Sequence, residues 1–139
     1  MRGTSTERQS SNPPPSRRIG NYELVSELGA GTSGRVFLAR RQGLERLFAL
    51  KVLHKDLPPE QVERSQRGAR LAAKLHHPNI VRPIDIGQAM GCIYVVMDHV
   101  PGNNLEDRLA KHGAMPWREA ASLVAEVAGA LAVAHEAGV

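Results

Sequence analysis

The sequence predicts an α+β fold, a five-stranded antiparallel sheet with one packed helix followed by two further helices. Three observations lead there. Between residues 21 and 54, strand-like apolar runs are interrupted by a cluster of glycines and then by a hairpin signal. Two more strand-like runs, 83–88 and 92–98, meet around Met90-Gly91. Small and apolar residues recur at helical spacing over about 59–75, 104–112 and 116–137.

In chain order, residues 1–20 are rich in Ser, Thr, Arg and Pro and include Pro13-Pro14-Pro15, with few groups to bury. They read as a disordered tail containing a short extended proline segment. Strands are expected over Tyr22–Leu28, Arg35–Arg41 and Arg46–Leu53, with Gln42-Gly43-Leu44-Glu45 connecting the last two. Val36 and Ala49 are expected to face each other across that pair. Pro58-Pro59 opens a helix whose Val62, Ala69, Ala72, Ala73 and Leu75 form a stripe suited to close packing on a sheet. Arg64, Arg67, Arg70 and Lys74 fill much of its remaining surface and read as a solvated face. Ile93-Tyr94-Val95-Val96-Met97 is nearly continuous in apolar character, as a strand covered on both faces would be. A short helix from Asn104 to His112 is stopped by Gly113. A longer one runs from near Pro116 to about Ala137, with Ala120, Leu123, Val124, Val127, Leu131 and Ala134 on one face.

The chemistry-bearing stretch is Leu28-Gly29-Ala30-Gly31-Thr32-Ser33-Gly34-Arg35-Val36, followed by Ala49-Leu50-Lys51. Glycines in a G-x-G-x-x-G frame leave a backbone that can approach a phosphate closely and offer it N–H groups. Lys51 supplies a point charge for the same phosphates. Dinucleotide-binding folds share the spacing, but there the last glycine opens a helix. Here Val36-Phe37-Leu38-Ala39 is strand-like, which argues against a dehydrogenase.

A strand, glycine loop, strand and lysine in that order resemble the protein kinase family, in which the loop covers ATP and the third strand carries the phosphate-pairing lysine. Leu75-His76-His77-Pro78-Asn79-Ile80-Val81 resembles the family's connection from its regulatory helix into the fourth strand. Asp98-His99-Val100-Pro101-Gly102-Asn103-Asn104-Leu105 resembles its hinge. The resemblance covers about residues 20–139 and is similar to bacterial serine/threonine kinases. It implies a kinase N-lobe and hinge over 21–100 and the first helices of the C-lobe over 101–139. It also implies ATP-contacting roles. Leu28, Gly29, Ala30, Gly31, Thr32, Ser33 and Gly34 would form the lid, and Val36 and Ala49 the ceiling over adenine. Lys51 would meet the phosphates, and Met97 would be the gatekeeper. The backbones of Asp98 and Val100 would bond adenine, Asn104 would contact the ribose, and Leu105 would pack beneath the base. ATP and Mg²⁺ are the implied cofactors. A protein hydroxyl is the implied acceptor, and the remainder of a kinase domain an implied partner.

Two features depart from the family pattern. His135-Glu136-Ala137-Gly138-Val139 resembles the helix end before the catalytic loop, yet the family's H-R-D, metal-binding Asn, D-F-G and A-P-E are not found in these residues. The catalytic and metal sets are therefore empty, and the chain alone is expected to be inactive. Counting back from His77-Pro78, the helix glutamate that pairs with the strand lysine falls at Gly68. Glu63, the nearest upstream acid, lies five residues away, about 7.5 Å of helix rise and on another face. A non-catalytic nucleotide-binding or interaction module is the alternative reading.

Composition narrows the remaining classes. The formal net charge is +4, of which residues 1–20 carry +3, so the folded part is nearly neutral. With five aromatics in the chain and no basic–aromatic interleaving, nucleic-acid binding finds no support. No apolar run approaches the ~18 residues of a membrane span, and no signal-peptide core is visible. One cysteine, Cys92, is read as a half-buried residue at a strand edge and fits a reducing, cytoplasmic setting. Adjacent His76 and His77 lack a cysteine or carboxylate at ligand spacing and read as part of a turn.

Overall fold

The computed structural model describes residues 18–139. The elements are β1 (Arg18–Ile19), β2 (Tyr22–Ala30), β3 (Gly34–Arg41), β4 (Leu47–Leu53), α1 (Pro59–Ala72), β5 (Pro83–Ala89), β6 (Cys92–Asp98), α2 (Leu105–His112) and α3 (Trp117–Glu136). All strands join one antiparallel sheet in the order β1-β2-β3-β4-β6-β5. The five expected strands are thus present, with β1 added at the edge. β1 takes residues 18 and 19 out of the expected tail; residues 1–17 lie outside the described residues.

The sheet is strongly curled. β2 and β5 are separated by three strands, yet the Tyr22 hydroxyl donates to Asp85 Oδ2 at 3.1 Å. Inside the curl, Tyr22, Ala39, Phe48, Leu50, Tyr94 and Val96 form the core. Tyr22 meets both Phe48 and Tyr94 edge-on, at 6.0 Å between ring centroids, an arrangement aromatic quadrupoles favour. Tyr94 needs room: a Cβ on Gly87 would stand 2.3 Å from its ring. Tyr94, Val95 and Val96 are all buried, so β6 is covered on both faces as its composition predicts.

Burial, and next the bond to Asp85, push the Tyr22 phenol up to about 12. A raised acid pKa means that the native state favours the neutral phenol. Its contribution to stability is complete below the ordinary value near 10 and is lost as pH rises towards about 12. Denaturant titrations across that alkaline window should show a loss of stability that Tyr22→Phe diminishes.

The helices follow local signals. Pro59 sits in the first turn of α1, where its missing N–H costs nothing. The helix ends at Ala72 rather than Leu75, because the chain tightens into i→i+3 bonds from Lys74 to Leu71 and from Leu75 to Ala72. None of its residues is buried, and it packs chiefly on β5, so the small-residue stripe is covered less than expected. α2 begins at Leu105, with Asn104 as its cap. Gly113 ends it with φ 72°, a left-handed conformation that suits a residue without Cβ. α3 buries only Ala130 of its length. Val124, Val127 and Leu131 on the expected apolar face are exposed, as is Trp117 at 73%. The end of α3 approaches α1, where a Cβ on Gly138 would lie 3.9 Å from Leu71 Cδ1.

Candidate functional site

Strand pairing decides which side chains share a wall. Val36 pairs with Lys51, and Lys51 with Val95; Leu38 pairs with Ala49, and Ala49 with Met97. The expected direct pairing of Val36 with Ala49 is therefore corrected: they stand two positions apart in register. Paired residues, and alternate residues along a strand, point to the same side. Val36, Leu38, Ala49, Lys51, Val95 and Met97 consequently line one face, opposite the core cluster. Ala49 and Val95 are buried, and the others half-buried. The result is an apolar wall with a single ammonium set into it. Leu38 and Val95 were not singled out from the sequence, although the two-residue period from Val36 and Met97 points to them.

The glycine segment borders this wall. Gly29 and Ala30 are still part of β2, with Gly29 opposite Val36 and a register irregularity between Glu27 and Gly29. The turn proper is short, closed by Gly31 N–H donating to the Gly34 carbonyl at 2.9 Å. Leu28, Gly29, Ala30, Gly31 and Thr32 are exposed, and Ser33 is half-buried. The glycines differ in purpose. A Cβ on Gly29 or Gly31 would meet nothing within 4 Å, leaving open space beside the backbone. A Cβ on Gly34 would stand 2.2 Å from the Val52 carbonyl oxygen, so this glycine is required by the packing of β3 on β4.

Two further residues, His54 and Arg35, brace the segment. His54, just past β4, has its ring Nε2 3.0 Å from the Gly31 carbonyl oxygen, and its backbone N–H donates to the Ser33 carbonyl at 3.2 Å. Arg35 pairs with Glu27 from opposite sides of the loop, holding the Glu27 carboxyl below its usual range. None of these contacts is visible in the motif, since each joins residues that only the register brings together.

At the hinge, Asp98 ends β6 and its carboxylate pairs with Arg46. The Arg46 guanidinium also lies over the Phe48 ring at 5.3 Å. Val100 is exposed, and so is Leu105, at 47%. The Asn104 side chain is engaged locally, where its Oδ1 accepts the Asp107 N–H at 2.7 Å and caps α2. The implied ribose role of Asn104 would compete with that bond. Behind the hinge, His77 Nδ1 accepts the Asn79 N–H at 3.1 Å, a local turn contact.

Lys51 has no carboxylate partner among the described residues, whose ion pairs are Arg35–Glu27, Arg46–Asp98 and Arg108–Glu119. Glu63 is exposed and not paired with it. Gly68 lies inside α1, and a Cβ there would meet no neighbour within 4 Å. Gly68→Ala is therefore expected to stabilise the fold by up to about 1 kcal/mol, the helix-propensity difference, read from urea unfolding. Gly68→Glu should recover part of that gain, and an ion pair formed with Lys51 would add to it.

The comparisons with known proteins bear on the family and the fold. Residues 22–139 match the protein kinase domain. The chain is 36% identical over 121 residues to the serine/threonine-protein kinase pkn3 of Myxococcus xanthus, covering 85% of this chain and 22% of that protein. It is 37% identical over 119 residues to the serine/threonine-protein kinase PknK of Mycobacterium tuberculosis, covering 84% of this chain and 11% of that one. Among solved structures, the PknI kinase domain of Mycobacterium tuberculosis superposes with a TM-score of 0.76 at 34% identity, over 88% of this chain and 52% of that domain. The chain thus spans about half of that kinase domain and a small share of the curated relatives. Its sequence match and its curled sheet with following helices together place the chain in the protein kinase family.

Proposed function

We propose that these residues form the ATP-binding part of a serine/threonine protein kinase, which transfers the γ-phosphate of ATP to a protein hydroxyl. The observation that carries the reading is the wall itself. Val36, Leu38, Ala49 and Met97 offer an apolar surface to a flat base, and Lys51 stands on the same face two positions along β4 from Ala49. Open space beside Gly29 and Gly31 leaves their backbone accessible to phosphate oxygens. The Asp98 and Val100 backbone would bond the adenine edge, with Leu105 below the base. Lys51 would hold the phosphates as a compact cation.

Phosphoryl transfer further requires an acid that orients the acceptor hydroxyl and ligands for Mg²⁺. No group of three or more His, Cys, Asp or Glu side chains that could hold a metal occurs among the described residues. No His-Arg-Asp or Asp-Phe-Gly occurs in the sequence. The wall offers groups suited to a nucleotide, whereas the Asp and Asn with which the family holds Mg²⁺ belong to motifs not found in these residues. The 139 residues by themselves are therefore expected to bind ATP without transferring phosphate. Gly68 and the unpaired Lys51 favour a second reading, a nucleotide-binding module without catalysis.

Thermal unfolding tests the binding claim. ATP at about one hundred times its dissociation constant should stabilise the chain by roughly 2.7 kcal/mol, whereas an equal concentration of inorganic triphosphate, which lacks the base, should do far less. Equal effects of the two would defeat the reading. Incubation with labelled ATP and a generic protein acceptor separates the two readings only when residues supplying the catalytic and metal-binding loops are joined to the chain. Transfer then supports the kinase, and its absence supports the binding module.

A further inference from the structure

A second cleft of about 590 Å³ opens on the face of the sheet opposite Lys51. That volume falls within the roughly 300–1,000 Å³ of small-molecule sites. It is the mouth of the curl. Each strand contributes to its lining, through Ile19, Leu24, Phe37, Val52, Ala89 and Cys92 in turn. Four of these, Ile19, Leu24, Val52 and Ala89, pack directly on the buried core, so the floor is apolar. The mouths of curled or closed sheets are recurrent ligand sites for this reason.

The rim has one sign of charge. Arg18, Arg35, His54 and Lys55 line it, and no Asp or Glu does. Arg35 is already engaged by Glu27, and the His54 ring by the Gly31 carbonyl. Lys55 forms no ion pair among the described residues, and neither does Arg18, which stands opposite Glu23 in register. Lys55 is placed at the rim against the β5–β6 turn, its Nζ 4.0 Å from where a Cβ on Gly91 would stand.

We propose that this mouth binds a single-chain anionic amphiphile, the aliphatic chain lying on the apolar floor and a terminal carboxylate meeting Arg18 and Lys55. The apolar interior alone would accept any small hydrophobe. The cationic rim without an acid selects an anion at one end, and the confined volume favours a single chain over a folded partner.

Dodecanoate, kept below its micellar concentration, is the probe, and the full chain is the protein. Cys92 lines the mouth and is the chain's one cysteine, so its alkylation by a maleimide reports occupancy at this place. Saturable slowing of alkylation by dodecanoate is expected, with dodecanol clearly weaker. Arg18→Ala and Lys55→Ala, both at exposed positions, should each raise the half-protecting concentration roughly 2- to 5-fold, the scale of one exposed charge pair. Ala89→Leu should fill the floor and remove protection; if it does not fold, the two charge variants still decide. Several results would overturn the proposal: an unchanged alkylation rate, equal protection by dodecanol, or protection untouched in the Arg18→Ala/Lys55→Ala double variant. A cysteine already unreactive in the free chain would do the same, since the mouth would then be covered by the chain itself. Binding confined to the exposed face of α3 would leave the Cys92 rate unchanged and would equally defeat it.

Discussion

Alanine at position 34 is expected to lower the unfolding midpoint by roughly 5–15 °C, from an overpacking cost of about 1–3 kcal/mol in a domain of this size. The added methyl would stand 2.2 Å from the Val52 carbonyl oxygen, 3.0 Å from that carbonyl carbon and 3.1 Å from Leu53 Cα. All three atoms are backbone, held in the β3–β4 ladder, and cannot turn aside as a side chain would. Relief must come from separating β3 from β4 beside the loop, which also moves Val36 away from Lys51. Gly31→Ala is the control, because a Cβ there meets nothing. Calorimetry should show a large loss for the first substitution and little change for the second. Comparable losses would mean that Gly34 serves loop conformation rather than strand packing.

Lys51→Met is expected to weaken ATP binding roughly 10- to 100-fold while leaving adenosine binding nearly unchanged. Hydrogen bonds to charged groups contribute roughly 1.5–3 kcal/mol, and each 1.4 kcal/mol is about tenfold in affinity. Methionine keeps the aliphatic stem against Val36 and Val95, the neighbours of Lys51 in register. The chain loses the charge without opening a cavity, and no ion pair among the described residues is broken. Isothermal titration with ATP and with adenosine makes the comparison. Equal weakening for both ligands would move Lys51 from a phosphate role to a general support of the wall.

These cases show what a single sequence makes legible. The glycine frame, Lys51 and the strands around them are local patterns, and the structure places them in one sheet as expected. Register is not local. Placing Val36 opposite Ala49 misses the true pairing by two residues, yet both remain on the Lys51 face of the sheet, because the side-chain period of a strand is two. An error of one residue would have turned every side chain to the core. The purpose of Gly34 is hidden for a related reason: it depends on a carbonyl of the next strand. His54 on Gly31 and Arg46 on Asp98 are likewise set by pairing across the sheet.

Other differences have compositional causes. β1 is two residues long and lies in an Arg-rich stretch with no apolar alternation, so only its pairing with Tyr22 and Glu23 reveals it. The Asn104 cap is readable as a helix start, but its side-chain oxygen serves the Asp107 N–H, which the resemblance alone does not convey. The apolar face of α3 is legible as a pattern, while its exposure follows from how few neighbours the described residues place against it.

The most direct test of the nucleotide wall is an amide-resolved NMR titration of the full chain with ATP. The account predicts saturable shifts concentrated at Gly29 to Ser33, Val36, Ala49, Lys51, Asp98 and Val100, with the core-side positions Leu24, Val52 and Ala89 little affected. Shifts centred on Leu24, Val52 and Ala89, or none at millimolar ATP, would contradict it.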